Sequence, residues 1–298
     1  MKKFILSVLL MIIGIMNATA QDFQGMAIYE SKTSTSDLKS RFEGNKDITP
    51  DMRKMIEDRM KGMFEKTFIL NFDKTASTYK EEEKLDAPGQ QQGQFGGGVK
   101  MMASMMGGGG TFYKNIKDKN YIVDKEFMGK EFLVKDSLPK LNWKMESETR
   151  QIGGYNCFKA TAVRPVSKSD LRNIKFKNDK KDAAKTEGKE KTTSIMEDLE
   201  MPENITITAW YTPEIPVSQG PENYWGLPGL ILEANDGKTT ILCSKIVLNP
   251  KDKAIIKAPT NGKVISQKEY DETVVKKMEE IRKMNSGRNG NGMPMRMP

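Results

Sequence analysis

Histidine is absent from all 298 residues. This removes the Ser-His-Asp and Cys-His constellations and with them His-based metal catalysis. Carboxylates remain, 40 Asp and Glu against 48 Lys and Arg. Two of them in a cleft could run a hydrolase, but no pair stands out from the charged background. Thioether sulfur is the other chemical resource. Among 21 methionines, Met101, Met102, Met105 and Met106 cluster in a Gly-rich run, and Met293, Met295 and Met297 cluster near the end of the chain. Soft sulfur favours Cu(I), so these are candidate copper ligands in a chain that otherwise calls for no cofactor. The plainer reading is low-complexity or adaptable contact surface. Cys157 and Cys243 lie in apolar, strand-like segments. They form a disulfide if those strands are neighbours, or pack as free thiols. A catalytic thiol would have no imidazole to activate it. The expectation is a non-enzyme.

The first 20 residues have the pattern of a secretory signal. Lys2 and Lys3 give a charged start, Phe4 to Met16 an apolar core, and Ala18-Thr19-Ala20 a small-residue cleavage site. The mature chain is then expected to begin at Gln21, in the periplasm or attached to the outer membrane. No cysteine follows the cleavage site, which argues against a lipid anchor. The apolar run falls short of the roughly 20 residues that span a bilayer, and no later segment is apolar enough to do so. Loss of Lys2 and Lys3 lowers the formal charge from +8 to +6. The remaining lysines are interspersed with acids, as in a solvated surface, and nucleic acid is not an expected partner.

The elements that would position these residues are mostly strands. Ala27 to Tyr29 reads as a first strand; Phe68, Leu70 and Phe72 alternate, and Ser77 and Tyr79 follow a turn at Asp73-Lys74. Tyr121 to Phe127 and Glu131 to Lys135 flank Met128-Gly129 as a hairpin. Trp143 to Thr149 and Tyr155 to Val163 flank Gly153-Gly154 as another. Ile205, Ile207 and Ala209 alternate in a further strand. Two helices are predicted. Pro50 to Lys66 carries Met52, Met55, Ile56, Met60, Met63 and Phe64 as a packing face. Ser266 to Met284 starts on a Ser266/Glu269 capping box and carries Tyr270, Val274, Met278 and Ile281. The fold class is mostly β (α+β): one large curved antiparallel sheet, curling toward a partial barrel or a sandwich, with one or two accessory helices. One domain spans 21–284, broken by a low-complexity insertion at 83–111 and a charged insertion at 165–203; 285–298 is a Met/Gly/Asn tail. The Gly-rich run lacks the Gly-Lys-Ser/Thr ending of a phosphate loop, and the charged segment from Lys168 to Lys191 reads as a solvated loop or short helix.

Gly226-Leu227-Pro228-Gly229-Leu230-Ile231 is the most specific motif. Pro228 and Gly229 predict a type II turn with positive φ at Gly229, leading into a buried strand from Leu230, a turn at Asn235-Asp236-Gly237, and a return strand through Cys243. The plain reading is a hairpin entered through a rigid turn. The functional reading is that Tyr224, Trp225 and Leu227 are held out as an apolar docking edge.

Together with Trp143, Ile152-Gly153-Gly154-Tyr155, Cys157, Ala209 to Ile215 and Gly220-Pro221, this motif resembles the GLPGLI family of secreted Gram-negative proteins, whose biochemical role is not established. The resemblance covers roughly Leu141 to Leu248, is interrupted between Pro165 and Pro202, and is weaker toward the N-terminus. It implies an exported protein whose signature turn, Trp225 through Ile231 (Trp225, Gly226, Leu227, Pro228, Gly229, Leu230 and Ile231), is the candidate binding element. The functional expectation is a non-enzymatic envelope protein that binds an apolar ligand or an envelope partner. The alternatives are a methionine-based Cu(I) binder and a carboxylate-based hydrolase.

Overall fold

Alternating apolar residues form the strands in this protein. A computed structural model describes residues 23–36, 49–82, 110–170, 172, 175–176, 199–200 and 202–288. The first 22 residues, both methionine clusters, most of the segments 83–111 and 165–203 and the last ten residues lie outside them. The N-terminal half contains β1 (Gln24–Thr33), α1 (Pro50–Phe64), β2 (Glu65–Asp73), β3 (Ala76–Glu81), β4 (Thr111–Asn115), β5 (Asn120–Phe127) and β6 (Lys130–Ser137). The C-terminal half contains β7 (Lys144–Ile152), β8 (Tyr155–Pro165), the short pair β9 (Lys175–Phe176) and β10 (Leu199–Glu200), β11 (Asn204–Thr212), β12 (Leu230–Asn235), β13 (Thr239–Leu248), β14 (Lys263–Ile265) and α2 (Gln267–Arg288).

Twelve strands form one open sheet in the order β14-β6-β5-β4-β3-β2-β1-β13-β12-β11-β8-β7, and β9 pairs with β10 separately. This is the large curved sheet with accessory helices that the strand spacing predicts. It is not wholly antiparallel, because β14 runs parallel to β6 at the edge. Each half is a meander of near neighbours, and the halves join where β1 pairs with β13 from Gly25↔Leu248 to Thr33↔Thr239. Three antiparallel pairs are interrupted by register shifts: β1 with β13, β11 with β12, and β7 with β8. Such bulges bend strands and increase their twist, which curls a wide sheet. Ala209, Trp210, Tyr211 and Thr212 are all buried, so the end of β11 is covered on both faces.

The turns follow from local chemistry. Gly153 and Gly154 both have positive φ, 58° and 87°, as a two-residue type I′ hairpin requires. At α1, Thr49 caps the first turn by accepting from the Met52 N–H, and Pro50 occupies the first turn, where its missing N–H costs nothing. At α2, the Ser266 N–H donates to Glu269 and the Glu269 N–H donates back to the Ser266 hydroxyl, completing the capping box.

One cluster of buried side chains lies on the central and C-terminal strands, including Tyr29, Leu70, Phe72, Ile207 and Ile241. A second forms where Tyr270 and Val274 of α2 cover Tyr121, Phe127, Phe132 and Val134. The packing face expected along α1 is only half used: Met60 and Phe64 are buried, but Met52 and Met55 are exposed. The helix passes straight into β2 without a loop, so only its last turns rest on the sheet.

Candidate functional site

The signature segment folds inward. Between β11 and β12 the chain packs back on itself, with the Leu230 N–H donating to the Ile215 carbonyl and the Ile231 N–H to the Gln219 carbonyl. Tyr224, Leu227, Leu230 and Ile231 are at most 2% exposed. The apolar docking edge expected from Tyr224, Trp225 and Leu227 is therefore corrected: these side chains complete the interior. Tyr224 and Leu227 join the larger core cluster, while half-buried Trp225 packs against the one beneath α2. Only Gly226 and Pro228 of the motif face outward.

The type II turn is corrected as well. Positive φ falls on Gly226, at 91°, and not on Gly229. Gly229 is needed for a different reason. A Cβ there would lie 2.1 Å from the Thr212 carbonyl oxygen and 2.5 Å from its carbon, so the backbone of β11 approaches too closely for any side chain.

Two tryptophans tie the segment to the stretch before β7. The Trp143 indole N–H donates to the Trp225 carbonyl at 2.8 Å, and the Trp225 indole donates to the Pro139 carbonyl at 2.8 Å. Beneath them, Lys114 of β4 is fully buried. Its ammonium donates to the carbonyls of Gly220 (2.8 Å), Glu222 (3.1 Å) and Tyr224 (2.8 Å), so all three donors are used. Burial pulls its pKa down to about 7 against the opposing charge of Glu222. Buried Gln219 accepts from the Ser77 hydroxyl nearby.

Next to this segment lies a cavity of about 540 Å³ that is partly open to solvent. Its apolar wall carries two stacked ring pairs, Phe68 with Tyr79 at 4.7 Å and Phe112 with Tyr121 at 5.2 Å between centroids. The opposite wall is polar. The Arg172 guanidinium pairs with Asp170 at 3.0 Å and with Glu222 at 2.6 Å, and Arg164 stands 3.8 Å from Asp170. This corrects the reading of the charged insertion as solvated throughout, since its first residues form a partly buried ion-pair network. Asp271 of α2 accepts from the hydroxyls of Ser167 and Ser169 and from the Gln267 amide. Lys125 also lines the cavity, with its ammonium 4.6 Å above the Tyr270 ring.

Burial alone would push the Asp170 carboxyl up. The charge and hydrogen bonds of Arg172, helped by Arg164, outweigh that and hold it at about 2. Asp170 therefore stabilises the fold fully above its ordinary pKa of 3.8, and the contribution disappears as pH falls toward 2. Urea unfolding of the wild type is expected to lose about 2 kcal/mol across that window, a slope that Asp170→Asn removes. Equal slopes in the two proteins would contradict this account. Asp170 and Glu222 are two carboxylates of the cavity wall. They share one arginine, and Asp170 is ionised at neutral pH, whereas a glycosidase acid must hold its proton there.

Cys157 and Cys243 are buried free thiols, and burial pushes both pKa values up, to about 11 and about 12. The neighbouring strands that a bridge was expected to need are not found: β8 and β13 are separated in the sheet by β11 and β12. Among the described residues no group of His, Cys, Asp and Glu could hold a metal ion. The candidate copper ligands Met101, Met102, Met105, Met106, Met293, Met295 and Met297 lie outside those residues. No described helix is long and apolar enough to cross a membrane.

Lys114, Lys125, Tyr79, Arg164 and the Asp170–Arg172–Glu222 triad were not anticipated from the sequence. Two of them left a signal. Lys125 shares the inward strand face of Tyr121, Val123 and Phe127, and Lys114 is in phase with Phe112. A lysine in step with apolar residues of a strand is either buried or aimed into a cavity.

An open, curled β-sheet with a partly open cavity and an inward-folded loop between β11 and β12 defines the class of architecture. Residues 143–233, which run from the start of β7 into β12, match a family described as a protein of unknown function, Porph_ging. No curated protein matches the chain. Among solved structures, PNGF-II in two crystal forms, C2 and P21, is similar over 85% of this chain and 33% of its own, with 15% identity and a TM-score of 0.43 in each case. The chain thus spans about a third of the length of that protein.

Proposed function

We propose that this chain is an exported, non-enzymatic binding protein of the GLPGLI type, working in the cell envelope and holding a small amphipathic ligand inside its curved sheet. The observation that carries the reading is the cavity of about 540 Å³, with stacked aromatic rings on one wall and a charged network on the other. A volume of that order suits a small molecule, and an apolar lining with a few convergent polar groups is the usual character of a ligand site. Export is supported by the leader pattern of residues 1–20. Lack of catalysis is supported by the absence of histidine.

Phenylnaphthylamine, an uncharged apolar fluorophore, is the first probe. Its emission is expected to rise saturably with one site per chain. Ser31 is a half-buried residue of the cavity wall, and Ser31→Trp is expected to fill the space and abolish the signal while the urea midpoint is retained. Emission that does not saturate, or that survives Ser31→Trp unchanged, would overturn the proposal.

A further inference from the structure

We infer that the ligand is anionic: an apolar body lying along the aromatic wall, with a carboxylate, or an acid of similar shape, seated at the polar end between Lys125, Arg164 and Tyr79. The inference rests on the binding reading above and assigns the chemistry of the ligand head.

Its basis is a set of donors without acceptors. The Tyr79 hydroxyl has no hydrogen-bond partner, although the residue is only 4% exposed and lines the cavity. The Arg164 Nε, which lines the same cavity, is buried and likewise unpartnered; the guanidinium approaches Asp170 through its Nη2 group. Lys125 makes no hydrogen bond or ion pair among the described residues and contacts only the Tyr270 ring face. Buried polar groups are rarely left without a partner, and here two, the Tyr79 hydroxyl and the Arg164 Nε, line one space together with the half-buried Lys125 ammonium.

All three groups line the one cavity. Arg164 and Arg172 both face Asp170; Lys125 feels the charges of Asp170, Asp271, Arg172 and Glu222; and Tyr79 feels those of Glu222 and Arg172. The nearby acids do not meet the need. Asp170 and Glu222 are taken up by Arg172, and Asp271 by two hydroxyls and an amide. Burial lowers the pKa of Lys125 despite those carboxylates, so its charge is under-compensated.

A ligand bringing acceptor oxygens and one negative charge would satisfy what the protein leaves open. The unpartnered Asn223 Oδ1 on the same wall adds an acceptor, suited to a hydroxyl near the head group.

The test displaces bound phenylnaphthylamine at neutral pH with decanoate, decanol and decyltrimethylammonium, which share one chain and differ in the head. Decanoate is expected to compete about tenfold more strongly than decanol, and the cation more weakly than either. Naphthoate in a parallel arm distinguishes a flat aromatic body from an acyl chain. Lys125→Met should remove the advantage of decanoate while decanol competes as before, and Lys125→Arg should restore it. Thermal melts of both variants establish that they fold.

Equal competition by decanoate and decanol, or a preference unchanged in Lys125→Met, would overturn the inference and leave the binding proposal standing. Failure of phenylnaphthylamine itself to bind would remove both.

Discussion

Lys114→Met is expected to destabilise the fold by about 3 kcal/mol, because it leaves three buried carbonyl oxygens with no donor. Methionine fills the volume of the lysine stem, so lost packing contributes little. The deficit falls on the carbonyls of Gly220, Glu222 and Tyr224, which turn inward only because the ammonium gathers them. A urea titration monitored by tryptophan fluorescence reads the effect, since Trp143 and Trp225 are hydrogen-bonded to this region. The pH dependence provides a second measurement. The folded ammonium has a pKa near 7, while the unfolded lysine keeps its ordinary 10.5. Between those values the unfolded chain binds the extra proton, so wild-type stability rises with pH across the window, and Lys114→Met lacks that rise. A variant as stable as the wild type would show that the three carbonyls find other donors.

Gly229→Ala is expected to cost about 3 kcal/mol or more, at the upper end of what overpacking does. The atoms it meets are all backbone: the carbonyl oxygen and carbon of Thr212, and Pro213 N at 2.8 Å from the added carbon. No side-chain rotation relieves such a clash; the end of β11 must move. Gly226→Ala is the informative contrast. That position has positive φ but nothing closer than the Trp143 indole at 3.9 Å, so only backbone strain of about 1 kcal/mol is expected. If the two substitutions cost the same, the close approach at Thr212 is not what makes glycine necessary.

Both predictions concern residues whose roles differ from those their sequence setting suggests. The strands were legible because alternation is a local property. Phe68, Leu70 and Phe72, or Ile205, Ile207 and Ala209, announce a half-buried strand without reference to the rest of the chain. The capping box at Ser266 and the hairpin at Gly153-Gly154 were legible for the same reason. The direction faced by the signature was not, because whether Tyr224 and Leu227 point to solvent or to the core depends on β3 and β4, more than 100 residues earlier in the chain. The ion-pair network was hidden in a similar way. Asp170 and Arg172 resemble every other charge in their segment until Glu222, distant in sequence, is placed against them. The parallel edge strand β14 is only three residues long and has no periodicity to read.

The seam between β1 and β13 has a consequence for how the molecule is made. Its outermost backbone bond joins Asn249 N–H to the Gln24 carbonyl at 2.7 Å, between residues 225 positions apart in the chain. A polypeptide threaded N-terminus first through a translocon would present β1 long before its second neighbour arrives. Until then the inward ring of Tyr29 lacks its acceptor, the Ile231 carbonyl, and one margin of the strand offers unmade peptide bonds to any passing chain. Closure so distant along the backbone also makes for slow folding. The incomplete chain thus exposes a strand edge that the finished fold covers, and a holdase that shields the first meander is expected to raise the yield of folded material.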